Sequence, residues 1–226
     1  MLKYPISTIL WLSKINIKDK IKDILKLDDN IKVYIELTVK DRNGKIIKHH
    51  KQYSHSFVAN FLNGLAESFA QASITTSTNI FASINTSNTS VYDFGWYNIN
   101  APAGNSSFGI VIGTGNATPT PQDYQLGNQI ANGTGSGQMI YNATSFNPSS
   151  GTVTISGNTS SIQILRTFQN QSGASIIVSE TGIIGETNDT AGSTTYILIV
   201  HDLLNSPITV PNNAVLTIVY TISITT

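Results

Sequence analysis

The sequence predicts a mainly β protein: an antiparallel β-sandwich or jelly roll with a small N-terminal α+β segment in which two helices flank a hairpin. Beyond residue 73, short runs of β-branched residues alternate with Gly, Asn and Pro, and no pattern of helix length interrupts them. Before that point, apolar residues recur at helical spacing on either side of a stretch that alternates with period two. The 226 residues suffice for a large core without disulfides, and the chain has no cysteine.

Composition narrows the classes of protein further. Charged residues make up 12% of the chain and hydrophobic residues 40%, which argues against intrinsic disorder. The absence of cysteine excludes a disulfide framework, a thiol nucleophile and a thiolate metal site.

Charge is distributed unevenly along the chain, although the net charge is zero. Residues 1 to 51 carry twelve basic and six acidic side chains, whereas the rest of the chain carries one basic residue, Arg166, and seven acidic ones. We therefore expect the two ends to face different surroundings, with the basic segment either docked on a partner or simply solvated. Because the lysines alternate with acidic residues and no arginine cluster occurs, direct nucleic-acid binding is disfavoured.

The first twelve residues combine a single lysine with a mostly apolar run. No small-x-small cleavage site follows, so we interpret this start as retained, and no segment reaches the roughly 20 apolar residues of a spanning helix. Residues 1 to 12 are predicted to anchor the chain in an assembly or on a membrane surface; packing on its own domain is the alternative. The anchor residues are Ile9, Leu10, Trp11 and Leu12.

The basic segment, residues 1 to 72, is predicted to be a helix–hairpin–helix unit. Residues 14 to 27 form an amphipathic helix by their apolar spacing, and residues 56 to 71 form a second one. Between them, residues 31 to 53 alternate with period two on both sides of a turn at Asn43-Gly44, which tolerates positive φ. The stripe of the first helix consists of Ile17, Ile21, Ile24 and Leu25.

Residues 73 to 226 are predicted to form the sandwich domain. The final strand is the clearest, because its apolar and polar residues alternate from Leu216 to Ile224. Strands are expected near residues 79 to 84, 91 to 97, 108 to 112, 138 to 146, 151 to 156, 161 to 169, 174 to 180, 194 to 201 and 214 to 225.

None of the motifs predicts a catalytic, cofactor-binding or metal site. Gly113-Thr-Gly115 follows an apolar strand, as a phosphate loop does, but Pro119 and Pro121 stand where a helix would have to begin. We therefore interpret it as a turn. No cofactor is expected.

Histidines and carboxylates were considered as reactive groups. Three histidines crowd one arm of the hairpin, but neighbours on a strand point to opposite faces, so surface positions are favoured over a metal site. No carboxylate spacing selects a pair for glycoside hydrolysis, and no histidine accompanies a serine as a nucleophile requires. The residues are His49, His50 and His55, and Glu180, Glu186, Asp189 and Asp202.

Arg166 is predicted to have a structural role. It lies in the middle of a predicted strand, and a buried guanidinium needs a compensating carboxylate. We expect Glu180 or Glu186, on the next strands, to supply it.

Nine Asn-x-Ser/Thr sequons all lie after residue 73, and most fall in predicted loops. They indicate that the β-domain is the exposed part if the chain meets a glycosylation machinery. The candidate glycosylation residues are Asn85, Asn88, Asn105, Asn116, Asn132, Asn142, Asn158, Asn170 and Asn188.

Several segments together resemble a recurring type of virion protein of archaeal viruses and some tailed phages. Val39-Lys-Asp-Arg-Asn-Gly-Lys-Ile-Ile-Lys and the stretch from Ser56 to Leu65 resemble the amino-terminal hairpin and helix of those proteins. Ile110-Val-Ile-Gly-Thr-Gly, with residues 121 to 126, resembles a second block. Residues 166 to 173, 179 to 184 and 201 to 211 resemble the closing strands.

The resemblance implies a non-enzymatic virion structural protein of a vertex, turret or tail and fibre type. Such a protein would reside in the extracellular particle, with itself and other virion proteins as its partners. A cell-surface filament subunit, completed by a donated strand, is the alternative. A carbohydrate-active enzyme is a third class, and it predicts an aromatic-lined cleft with paired carboxylates.

Overall fold

The computed structural model describes residues 31–54, 57–70, 81–83, 86–89, 97–147, 153–188 and 193–226. In these residues the chain has twelve strands and one helix, which confirms the mainly β class. They are β1 (Ile31–Lys40), β2 (Ile46–Tyr53), α1 (Ala59–Ala70), β3 (Phe81–Ser83), β4 (Thr86–Thr89), β5 (Gly109–Gly113), β6 (Ile140–Tyr141), β7 (Ser145–Asn147), β8 (Thr154–Ser156), β9 (Thr159–Gln169), β10 (Ile176–Asn188), β11 (Thr194–Val210) and β12 (Val215–Thr225).

The strands form two antiparallel sheets. Sheet A has the order β2-β1-β12-β9-β6, with β7 and β8 also paired to β9, and sheet B has the order β4-β3-β11-β10-β5. Both contribute to one buried apolar core, with Leu37 and Ile218 from sheet A and Ile184 and Leu198 from sheet B all fully buried. The predicted β-sandwich is therefore confirmed at the level of two packed antiparallel sheets.

The predicted hairpin is confirmed, but it does not form a separate helix–hairpin–helix segment. Gly44 has φ +79 in the turn, and Asp41 Oδ1 accepts the N–H groups of Asn43 and Lys45 at 2.8 and 3.0 Å. β1 then pairs along its whole length with β12, so the hairpin belongs to the same sheet as the C-terminal strand. This pairing joins residues on both sides of the predicted boundary at residue 72. The predicted helix at residues 14 to 27 and the anchor residues Ile9 to Leu12 lie outside the described residues.

α1 begins where the second predicted helix was expected and lies against β11. The Val58 N–H donates to the Ile199 carbonyl at 3.2 Å, and Asn60 Nδ2 donates to the Leu198 carbonyl at 2.9 Å. Phe57 and Phe61 stack with ring centroids 4.1 Å apart. These contacts fix the start of the helix on sheet B.

Two strands of sheet B are longer than the sequence predicts. β10 continues to Asn188 and β11 to Val210, and the two pair along most of their length. Pro207 lacks an N–H and therefore interrupts a strand pattern, but it lies in a bulge where β11 has no partner in β10. Glu180 pairs with Leu203 at the edge of this bulge.

Candidate functional site

Glu180 is the centre of a buried polar site in sheet B. Glu180 is only 1% exposed, and both of its carboxylate oxygens accept hydrogen bonds. Oε1 accepts the backbone N–H groups of Gly115 and Asn128, each at 2.8 Å, and Oε2 accepts that of Gly127 at 2.9 Å. The loop between β5 and β6 thus wraps its amides around a carboxylate of the same chain.

The glycines of this loop are required by the close approach of the carboxylate. A Cβ atom on Gly113 or Gly115 would collide with the Glu180 side chain. Of the Gly113-Thr-Gly115 motif, only Gly115 donates its amide to the carboxylate, and the other two amides come from Gly127 and Asn128. The interpretation of the motif as a turn did not anticipate this contact with Glu180.

His201 joins Glu180 to a second carboxylate. Its Nε2 lies 2.9 Å from Glu180 Oε2, and its Nδ1 lies 2.6 Å from Asp123 Oδ2. His201 is on β11 opposite Gly182 of β10, and only 3% of the residue is exposed. We call Asp123, Glu180 and His201 the carboxylate–histidine cluster.

The geometry of the cluster favours a protonated imidazole between two ionised carboxylates. Burial opposes the charge on His201, but hydrogen bonds and attraction from Glu180 and Asp123 outweigh it and raise its pKa. Burial also opposes ionisation of Glu180, yet hydrogen bonds from His201 and the loop amides lower its pKa. For Asp123, hydrogen bonds from Thr120 and then His201 overcome burial and likewise lower the pKa.

This arrangement commits His201 and Glu180 to hydrogen bonds within the fold. Both ring nitrogens of His201 are committed to carboxylates, so neither is available as a general base. The carboxylate of Glu180 is enclosed by donors from the loop and from His201, and the residue is almost fully buried. Sequence analysis did not single out His201; its only signal was its position beside an acidic residue in an apolar strand.

The other carboxylates considered for catalysis are held apart in different contacts. Glu186 accepts a hydrogen bond from Asn98 Nδ2 at 2.9 Å at the surface. Asp202 is buried, and Asp189 lies outside the described residues.

Asp202 and Tyr220 form a polar link between the two sheets. Asp202 Oδ2, on β11, accepts hydrogen bonds from Ser54 Oγ at 2.7 Å and from the Tyr220 hydroxyl on β12 at 3.3 Å. Burial, followed by the charge of Asp202, raises the pKa of Tyr220 well above its ordinary value, so the hydroxyl stays a donor. In the described part of the chain, Ser54 thus donates its hydroxyl to a carboxylate and to no histidine.

Gln52 makes a second link between the sheets. From β2 of sheet A, its Nε2 donates to the Leu203 carbonyl at 3.0 Å, and its Oε1 accepts the Asn205 N–H at 2.9 Å. Its Oε1 also lies 2.9 Å from His50 Nε2. One side chain thus satisfies backbone groups of β11 beside the bulge.

Arg166 makes the third link, and the predicted carboxylate partner is wrong. The residue is fully buried on β9, and its donors point to backbone carbonyls, not to Glu180 or Glu186. Nε donates to Asn142 at 2.7 Å, and Nη1 donates to Phe108 and Ile110 at 2.9 Å each. Nη2 donates to the carbonyls of Pro102, at 3.4 Å, and Asn105. The five N–H groups of a guanidinium are therefore all matched.

Two aromatic rings complete the surroundings of the guanidinium. Its carbon lies 4.8 Å from the ring centroid of Tyr141 and 6.0 Å from that of Phe168. Carbonyl dipoles and ring faces replace the missing anion, although burial still lowers the pKa of Arg166 to about 10. The sequence could not indicate these partners of Arg166, because every residue has a main-chain carbonyl and no motif marks the ones that are used.

The candidate glycosylation residues differ in how accessible they are. Asn116, Asn158 and Asn188 are exposed. Asn170 is fully buried in the folded chain, and its Nδ2 donates to the carbonyls of Ala174 and Val210. The others are Asn105, Asn132 and Asn142, which are half-buried, Asn85, which lies outside the described residues, and Asn88, whose backbone alone is described in β4.

The remaining polar features are open to solvent. A surface cavity of about 570 Å³ lies beside the β1–β2 turn, with Lys40, Arg42, Gln169 and Gln171 among its lining residues. His49 and His50 contact Thr38 and Gln52 respectively, and His55 lies outside the described residues. Within the part of the chain that the structure describes, no three His, Asp or Glu side chains are arranged to hold a metal ion.

Comparison with known proteins does not identify a relative. No protein-family model matches the chain, and neither a curated protein nor a solved structure is significantly similar to it. Within the described residues, no helix is both long enough and apolar enough to cross a membrane.

Proposed function

We propose that the protein is a non-enzymatic structural subunit of a virus particle, of vertex, turret or tail type. In this proposal copies of the chain pack with one another and with other virion proteins, and the β-domain faces outward. The fold class supports this use, since two packed antiparallel sheets form a compact unit. The nested pairing of β10 with β11 in one sheet and β9 with β12 in the other resembles the winding of a jelly roll.

One observation carries the proposal: among the described residues, the buried ionised side chains bind other groups of the same fold. Arg166 donates to five carbonyls, and His201 and Glu180 are bonded to each other and to surrounding groups. These groups cross-link loops and sheets, as a building block of an assembly requires.

The N-terminal segment supplies the proposed attachment. Residues 1 to 51 carry twelve basic and six acidic side chains, and the apolar anchor lies at their start. Charge alone would attach the segment weakly, because contacts between exposed charges are screened over about 8 to 10 Å at physiological salt. The apolar residues Trp11 and Leu12, with Ile9 and Leu10, would therefore supply much of the attachment.

The test uses the full chain and a matched pair of variants. Trp11→Ser/Leu12→Ser is expected to abolish incorporation into the assembly, while Ser7→Ala/Thr8→Ala, in the same segment, leaves it intact. Incorporation is measured by co-sedimentation with particles, and folding of the β-domain by circular dichroism. Normal incorporation of the Trp11/Leu12 variant would contradict the proposed attachment.

A filament subunit assembled by strand donation is the second candidate. β2 is the last strand of sheet A, so in the described part of the chain one of its edges has no strand partner. A donated strand could pair there. Its lysines, Lys48 and Lys51, are residues that typically discourage such pairing, which is why we rank this candidate second.

A further inference from the structure

The surface cavity beside the β1–β2 turn is built on the outer face of sheet A. Its floor consists of neighbouring residues of three strands: Lys40 of β1 pairs with Val215 of β12, and Val215 pairs with Gln169 of β9. Side chains alternate along a strand, and the preceding Val39 and the following Leu216 are buried in the core. The floor residues therefore point away from the core, toward solvent.

Two turns form the walls of this cavity, and hydrogen bonds hold both in place. On one side lies the β1–β2 turn, in which Gly44 has φ +79 and Asp41 Oδ1 accepts two backbone N–H groups. On the other side lies the β11–β12 turn, whose Asn213 N–H donates to the Asn170 carbonyl at 2.7 Å. The Asn170 N–H in turn donates to the Ala214 carbonyl at 3.0 Å. The cavity is therefore formed before any ligand enters, which lowers the entropic cost of binding.

Lys40 and Arg42 give the cavity a positive charge. Both side chains are exposed, and neither forms an ion pair within the part of the chain that the structure describes. Lys51 on the neighbouring strand, by contrast, pairs with Glu36 at 3.9 Å. The carboxylate among the lining residues is that of Asp41, so the lining carries two positive charges and one negative charge. The charge of the cavity therefore favours an anionic ligand.

The rest of the lining is suited to a ligand that carries hydroxyl groups. Gln169 and Gln171 supply amides, and Thr167 and Thr217 supply hydroxyls, and both kinds of group can donate and accept hydrogen bonds. Val215 adds an apolar surface. The cavity of about 570 Å³ falls within the roughly 300 to 1,000 Å³ of small-molecule sites, so it has more room and more polar partners than a simple inorganic anion uses.

We propose that this cavity binds an acidic sugar, a pyranose that carries a carboxylate. The guanidinium of Arg42 has the planar fork that matches a carboxylate, and the ammonium of Lys40 adds a second positive charge. The side-chain amides of Gln169 and Gln171 bind the ring hydroxyls, and the C–H groups of the sugar contact Val215. A nucleic acid would need a longer row of cations than these two.

Titration of the full-length, ¹⁵N-labelled protein with glucuronate and galacturonate tests this proposal by nuclear magnetic resonance. The titration is run at about 0.15 M NaCl, which screens loose attraction between exposed charges. We expect the side-chain amide signals of Gln169 and Gln171 to shift with at least one acid, while that of Gln163, further along β9, stays in place. Glucose and galactose lack the carboxylate and are expected to bind about tenfold more weakly or less.

A matched pair of variants locates the site. Arg42→Gln removes a charge from the cavity and is expected to weaken binding of the acid about tenfold, because a charge-assisted hydrogen bond is lost. Lys48→Gln removes the same charge from the same hairpin, but Lys48 pairs with the inward-facing Val39 and so lies on the opposite face of sheet A. Its affinity should stay within about twofold of that of the unsubstituted protein. Circular dichroism confirms that both variants are folded.

Four outcomes would overturn the proposal. They are the absence of any shift with both acids, equal affinity for an acid and its neutral counterpart, equal affinity of the two variants, and binding of inorganic phosphate as tight as that of either acid. None of them depends on the proposed virion role.

Discussion

His201 and Glu180 form a buried ion pair across adjacent strands, with Nε2 of the imidazole 2.9 Å from Oε2 of the carboxylate. The same carboxylate gathers three loop amides, and the same imidazole reaches Asp123. One pair of side chains thus fastens the loop that follows β5 to sheet B. With Arg166, Gln52 and the Tyr220–Asp202 contact, it forms the polar framework of the sandwich.

Glu180→Gln is expected to destabilise the fold by about 3 kcal/mol or more. The amide has one acceptor oxygen where the carboxylate has two, so at least one loop N–H would face another donor. His201 would also lose its buried counter-charge. The free energy of unfolding is measured by urea titration. Glu186→Gln on the same strand is the control, and an equal cost for both variants would contradict the role of Glu180.

Stability is expected to be highest between about pH 4.5 and 6.5. The pKa of His201 is raised in the fold, so its contribution is complete below its ordinary value of 6.5 and is lost as the pH rises through the raised pKa. The pKa of Glu180 is lowered, so its contribution is complete above 4.5 and is lost as the pH falls through the lowered pKa. Asp123, from its ordinary value of 3.8, adds to the acid limb in the same way.

The loss of stability above pH 6.5 can be assigned to His201 or to another group by substitution. His201→Gln removes the titrating imidazole, so its unfolding midpoint should change little between pH 6.5 and 8. His49→Gln, at the exposed surface of the hairpin, should keep the wild-type profile. Thermal unfolding followed by circular dichroism across this range is the measurement. A His201→Gln variant with the full alkaline decline would show that another group causes it.

Arg166→Lys is expected to lower the free energy of unfolding by about 2 to 4 kcal/mol, although the substitution keeps the positive charge. A lysine has three N–H donors for the five carbonyls that Arg166 satisfies, and each unpaired buried group costs about 1 to 3 kcal/mol. Arg42→Lys in the exposed turn should change stability by no more than about 0.5 kcal/mol. Differential scanning calorimetry compares the two, and similar melting temperatures would refute the carbonyl arrangement.

After expression in a glycosylating host, exposed sequons should carry glycans and buried ones should not. Asn116 is exposed and is expected to accept a glycan, whereas Asn170 is buried and uses its amide in hydrogen bonds with Ala174 and Val210. Glycopeptide mass spectrometry reads both sites in one sample. A glycan on Asn170 of the folded protein would contradict its placement.

Local patterns predicted most strands, whereas long-range relationships were beyond the sequence. The alternation in β1 and β12 and the Asn43-Gly44 turn are local signals, and each is found as predicted. The pairing of β1 with β12 joins residues 175 to 193 positions apart, and no local pattern specifies such a partner. The partners of Arg166 and Glu180 are main-chain groups, which every residue possesses and no motif marks.

The central claim is that this chain is a self-assembling structural subunit whose buried charges serve its architecture. Electron microscopy of the purified full-length protein, at a resolution that shows side chains, tests it most directly. We expect an ordered assembly in which copies of the chain contact one another and the segment before β1 lies at those contacts. A protein that remains a monomer of 24.3 kDa under all conditions and hydrolyses glycosides would contradict the claim.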